Sequence, residues 1–220
     1  MLTDTLRSVC AFFLVFSLLL FGLQAHAASS AEQRLDVFLK NINSFSGDFV
    51  QRVLDERGEL VQESSGTIQL KKPGKFQWVY LEPFPTQIIG DGKNLWLYDE
   101  ELLQVTVKPI DEALGSAPIM LLTDLRPISA DFEVQKLSAE EVGDKNNFDW
   151  VRLIPKVQDT EFYLIELGMD QHGVRQMILH DHFAQRTIVQ FEQVDWNAQL
   201  SDSVFQFQPP TGVDVIGEPR

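Results

Sequence analysis

The chain has 220 residues, 44% of them hydrophobic, and carries a formal charge of −14 at pH 7. That acid excess argues against binding nucleic acid or adsorbing to anionic lipid, because both are recognised through clustered cations. The single cysteine, Cys10, excludes disulfides and cysteine-based metal sites from everything that follows it.

Residues 1–27 read as a cleavable export signal: Arg7 gives a positive start, Val9 to Leu23 form an apolar run of 15 residues, and Ala25-His26-Ala27 supplies small residues at a cleavage site. The run is short for a membrane span, which makes an anchor the weaker reading. Cys10 lies inside the run and leaves with it, so no lipid-attachment cysteine follows the signal. The expected product is one soluble exported domain, residues 28–220, whose charge is unchanged because Asp4 and Arg7 depart together.

Ser30-Ala31-Glu32-Gln33 has capping-box spacing, and Leu35, Phe38 and Ile42 follow at helical intervals, which predicts one amphipathic opening helix. From Phe45 the pattern changes to short runs rich in Val, Ile, Phe, Trp and Tyr. Turn signals such as Glu56-Arg57-Gly58, Lys72-Pro73-Gly74, Asp91-Gly92 and His172-Gly173 separate them. The reading is an antiparallel meander with strands near 46–54, 59–71, 75–81, 86–90, 94–99, 102–108, 132–137, 149–155, 161–169, 174–181, 186–196 and 204–208. An insertion, Asp111 to Leu125, interrupts it. There Ser116-Ala117-Pro118 opens a short helical run, Ile119-Met120-Leu121-Leu122, suited either to the core or to covering an open sheet face.

Alternation sends Phe76, Trp78 and Tyr80 to one face of their strand, an aromatic stripe that is ordinarily core. Ile68 and Leu70 share a face with Lys72, so this lysine ends an apolar row near its rim, where a snorkelling side chain is the plain explanation. His180-Asp181-His182 puts two imidazoles on one strand face, but no further Cys or His cluster completes a metal site. Acids such as Asp99-Glu100-Glu101 and Glu140-Glu141 fall where turns and loops are expected and read as solvated surface. Neither a G-x-S-x-G nor a G-x-x-x-x-G-K-[ST] motif is present.

Lys71-Lys72-Pro73, Phe76-x-Trp78, Asp91-Gly92-Lys93-x-Leu95-Trp96-x-Tyr98, Pro118-Ile119-Met120-Leu121 and Phe205-x-Phe207-x-Pro209-Pro210-x-Gly212-Val213 occur in this order and spacing. Together they resemble the periplasmic outer-membrane lipoprotein carrier family, LolA. The resemblance implies a mainly β, α+β fold: an unclosed antiparallel half-barrel of about eleven strands, with a helical lid over a hydrophobic cavity. It implies a non-enzymatic carrier in the periplasm of a Gram-negative bacterium, without cofactor or metal. Such a carrier takes acylated lipoproteins from an inner-membrane ATP-driven release complex and hands them to an outer-membrane receptor.

By the same resemblance, Phe76 and Trp78 match cavity-wall aromatics and Ile119, Met120 and Leu121 match the lid helix. Lys72 stands where the family has an arginine that latches the lid. Arginine has five donors in a planar fork and lysine three on a flexible stem, so that latch is expected to be looser or rearranged. A monomer is expected, with loop acids speeding encounter with basic partners. The competing readings are a carrier of free lipid, a periplasmic lipoprotein-stress sensor of the same fold and, more remotely, a lipid hydrolase.

Overall fold

The computed structural model describes residues 30–110, 121–123, 126–157 and 160–220. The export signal and most of the insertion, including Ile119 and Met120, lie outside the described residues. Helix α1 (Ser30–Asn41) leads into a sheet whose strands are β1 (Ser44–Leu54), β2 (Leu60–Lys71), β3 (Lys75–Glu82), β4 (Thr86–Asp91), β5 (Asn94–Asp99), β6 (Gln104–Pro109), β7 (Phe132–Leu137), β8 (Asp149–Pro155), β9 (Phe162–Met169), β10 (Val174–Asp181), β11 (Arg186–Trp196) and β12 (Asp214–Ile216). A one-turn helix, α2 (Ala139–Val142), separates β7 from β8.

All twelve strands join one sheet in the order β12-β6-β5-β4-β3-β2-β1-β11-β10-β9-β8-β7, so β12 and β7 are unjoined edges and the barrel is open. The pairings from β6 through to β7 are antiparallel. The exception is β12, which runs parallel to β6 with Val215 opposite Val105. The strand expected at 204–208 is absent: Asp202–Phe205 forms a 3-10 turn, capped by the Ser201 side chain on Ser203 N. Pro209 and Pro210 follow and cannot donate to a ladder; Phe205 is fully buried and Phe207 packs against Trp96.

Alternation along each strand decides which surface carries the main core. Phe45 and Phe49, Ile68 and Leu70, Phe76 and Trp78, Val151 and Leu153, Ile165 and Leu167, and Val189 and Phe191 all face one side. There they meet Ala31 and Leu35 of α1. The other side holds two small clusters. Ile89, Trp96, Val105 and Val107 are covered by Phe207 and Val213 of the C-terminal segment. Leu137, Trp150 and Ile178 are covered by Ala139 and Val142 of α2. Ser138 caps α2 reciprocally with Glu141, so this exposed acid, expected in a loop, holds a helix start.

Turns are fastened by aspartates. Asp91 Oδ1 accepts from Lys93 N (2.8 Å) and Asn94 N (2.7 Å), while Oδ2 accepts from Trp96 Nε1 (2.8 Å) and Asn94 Nδ2 (3.1 Å). Asp144 repeats the device, accepting from Asn146 N, Phe148 N and Trp150 Nε1. Asp55, Asp99, Asp170 and Asp181 bridge backbone amides of their hairpins in the same manner. Such self-bonding is what makes aspartate a turn residue.

Candidate functional site: an apolar cavity in the open sheet

A cavity of about 420 Å³ opens on the concave side of the sheet. Trp78 and Tyr80 on β3, Ile88 on β4 and Leu95 and Leu97 on β5 form one wall, which Thr106 and Lys108 on β6 continue. The facing wall comes from Phe162 on β9, Met177 and Leu179 on β10 and Thr187 and Val189 on β11, with Glu161 at its edge. In the sheet order β6 and β9 are separated by eight strands' width of ladder through β1, yet both line this space, because the twisted sheet curls upon itself without closing.

Aromatic packing shapes the wall on β3. Phe49 lies 4.7 Å from Trp78 and 5.1 Å from Tyr80 between ring centroids. The Tyr80 hydroxyl donates to Gln51 Oε1 at 2.9 Å, and burial pushes its pKa up to about 12, so it stays a neutral donor at physiological pH. At the edge of the cavity, partial desolvation raises the pKa of Glu161. Lys108 opposes that shift and Asp181 adds to it.

The residues singled out in the sequence fall in different places. Trp78, 7% exposed, borders the cavity. Phe76, on the same row, is wholly buried below it, with its ring against the backbone of Gly90. A Cβ at Gly90 would stand 2.5 Å from that ring, so only glycine leaves room for it. Leu121 is half-buried against the main core and Leu122 fully buried within it, while Thr123 O accepts from Gly74 N. The end of the insertion is thus pinned beside the β2–β3 turn.

Lys72 lies in a small cleft between α1 and residues 126–128, where its Nζ donates to Leu39 O at 2.5 Å. That contact is with the last turn of α1. Helix α1 packs over β7 and β8 and takes no part in lining the cavity.

The two histidines near 181 are occupied otherwise than as a metal pair. His180 Nε2 lies 3.1 Å from Glu166 Oε2 and His182 Nε2 lies 3.0 Å from Thr160 O. No cluster of three metal-capable side chains occurs among the described residues. Glu166, 4% exposed on the convex side, also accepts from Arg152 Nη2 at 2.7 Å. Its burial favours the protonated form, but His180 and Arg152 outweigh that and hold the carboxyl below the usual glutamate range.

Sequence reasoning found the aromatic row but not the wall facing it. Met177, Leu179, Thr187 and Val189 carried only the ordinary signal of strand alternation, and nothing in that signal says which strands meet across an unclosed seam.

An open half-barrel with an apolar hollow on its concave side defines the class of protein: an unclosed antiparallel β half-barrel built around a hydrophobic cavity. The family model described as outer membrane lipoprotein carrier protein LolA matches residues 40–208, and the chain belongs to that family. It is 40% identical to the outer-membrane lipoprotein carrier protein of Nitrosospira multiformis over 201 residues, covering 91% of this chain and 94% of the relative. It is 39% identical to the protein of that name from Nitrosomonas europaea, covering 93% and 97%. Among solved structures, an uncharacterized conserved protein from Thermus thermophilus superposes with a TM-score of 0.53 at 11% identity, covering 86% of this chain and 98% of that one; the likeness is one of fold.

Proposed function

We propose that the protein is a periplasmic carrier of acylated lipoproteins. It is exported by residues 1–27, receives its cargo from an inner-membrane ATP-driven release complex and delivers it to an outer-membrane receptor. The observation that carries this reading is the apolar cavity on the concave face, in a chain of the LolA family. At about 0.8 kcal/mol per buried methylene, a sixteen-carbon acyl chain in water costs roughly 12 kcal/mol, so crossing an aqueous compartment requires a cavity in place of the membrane. Release requires a fit looser than the best attainable, or an opening step with its own cost.

Native mass spectrometry of the protein isolated from periplasm tests the reading, comparing wild type with Leu97→Glu. Leu97 lines the cavity yet is 41% exposed, so the substitution alters the site without burying a charge in the core. A bound acylated polypeptide that the substitution abolishes is the expected result. Glycolipid or phospholipid alone in the wild type would replace this reading with that of a free-lipid carrier.

A further inference from the structure

The cavity is not apolar throughout. On one wall Thr106 stands in register with Leu97, and Lys108 with Leu95. On the facing wall Thr187 stands in register with Leu179. Each of these polar side chains is therefore the immediate cross-strand neighbour of an apolar one that lines the same space. Among the described residues, neither threonine hydroxyl has a hydrogen-bond partner within the protein. An alkyl chain offers these groups nothing. An ester or amide carbonyl, found where an acyl chain joins its polar carrier group, offers these donors an acceptor.

We propose that Thr106 and Thr187 are specificity residues that donate to the carbonyl oxygens at the head of the acyl chains, so that the cavity prefers ester- or amide-linked acyl chains to alkyl chains of equal length. The inference rests on the carrier reading above and adds to it which part of the ligand the cavity recognises. Apolar contacts alone discriminate poorly between ligands of the same shape, whereas a donor aligned with a substrate oxygen penalises the analogue that lacks the oxygen. The two hydroxyls stand beside Leu97 and Leu179, within reach of a carbonyl on a chain held between the walls. Lys108, two residues from Thr106 on the same face, and Glu161 across the cavity bring charges of both signs to its lining.

The test is equilibrium dialysis of the purified protein with monododecanoylglycerol and its ether counterpart monododecylglycerol, which differ only in the carbonyl. Wild type should bind the ester about five- to tenfold more tightly, the effect of one or two hydrogen bonds. Thr106→Val with Thr187→Val should bring the ratio of the two affinities to about one, whatever the affinity for each ligand alone, since valine is nearly isosteric and suits a strand. The paired serine replacements, which keep both hydroxyls, should retain it. Equal affinity of wild type for the two ligands, or a preference that survives the valine pair, overturns the inference and leaves the carrier reading standing. Failure of wild type to bind either ligand overturns the carrier reading as well.

Discussion

Lys72 Nζ lies 2.5 Å from the carbonyl oxygen of Leu39, joining the end of β2 to the last turn of α1. The last carbonyls of a helix have no partner within it and form the negative end of its dipole, so a cation placed there is favourable twice over. Lys72→Met should therefore loosen α1, by about 1 kcal/mol, without unfolding the sheet. Hydrogen exchange reads this directly: the amides of residues 35–42 should exchange several-fold faster while those of β2 and β3 hold. Unaltered exchange across α1 would reduce the contact to a surface detail. Cargo transfer by the same variant would show whether α1 moves during loading.

Phe76 and Trp78 lie on one row but at different depths, and substitutions should separate them from the cavity mouth. Phe76→Glu places a carboxylate where nothing is exposed and no partner stands, at a cost of several kcal/mol. We expect a cooperative loss of the native fold near room temperature, measured by circular dichroism. Leu97→Glu should shift the melting temperature by only a few degrees and act on ligand binding. A well-folded Phe76→Glu protein would mean that the row is hollower than its packing indicates.

Glu166 governs part of the acid response. Its folded carboxyl is held below the ordinary value of 4.5, so its contribution to stability is fully present above that pH and is lost as the pH falls through the folded value. The melting temperature should accordingly decline below about pH 4.5. Glu166→Gln should lower it at neutral pH, because the amide keeps an oxygen for Arg152 but removes the charge that the guanidinium pairs with, and should flatten the acid limb. Parallel wild-type and variant profiles between pH 3 and 5 would assign the acid sensitivity to other carboxylates.

The Asp91 carboxylate holds two backbone amides, the Asn94 side chain and the Trp96 indole together. Asp91→Ala should cost about 2–3 kcal/mol, since a buried indole donor is orphaned together with the turn amides. Asp91→Asn, which keeps one acceptor oxygen, should cost less than the alanine change. Denaturant titration of the three proteins checks the order, and equal stability of wild type and alanine variant would refute it.

Strand existence was written plainly in the period-two runs, and α1 in the spacing of Leu35, Phe38 and Ile42, because burial on one face imposes those periods whatever the partners. Other features escaped for physical reasons. Strand β12 is three residues long and wholly exposed, so no burial pattern marks it, and Phe205-x-Phe207 imitated a strand more convincingly. Helix α2 is marked only by Ser138 and Glu141, a cap followed by a single turn that is too short to show a helical period. Depth is invisible to alternation: Phe76 and Trp78 carry the same signal, and what sinks the first is the absence of a side chain on Gly90, a neighbour across the ladder. The cavity's far wall depends on the curl of the whole sheet and could not be read from any local segment.

The free edges at β12 and β7 turn girth into an adjustable property. A closed barrel has its bore set by strand number and stagger, and widening it means breaking ladder bonds. A split ring has no such constraint. On the carrier reading, a slight relaxation of twist would admit a thicker guest without breaking a rung. The grip on that guest would then be the tendency of the ring to spring back, so that one framework could serve cargoes of unequal bulk.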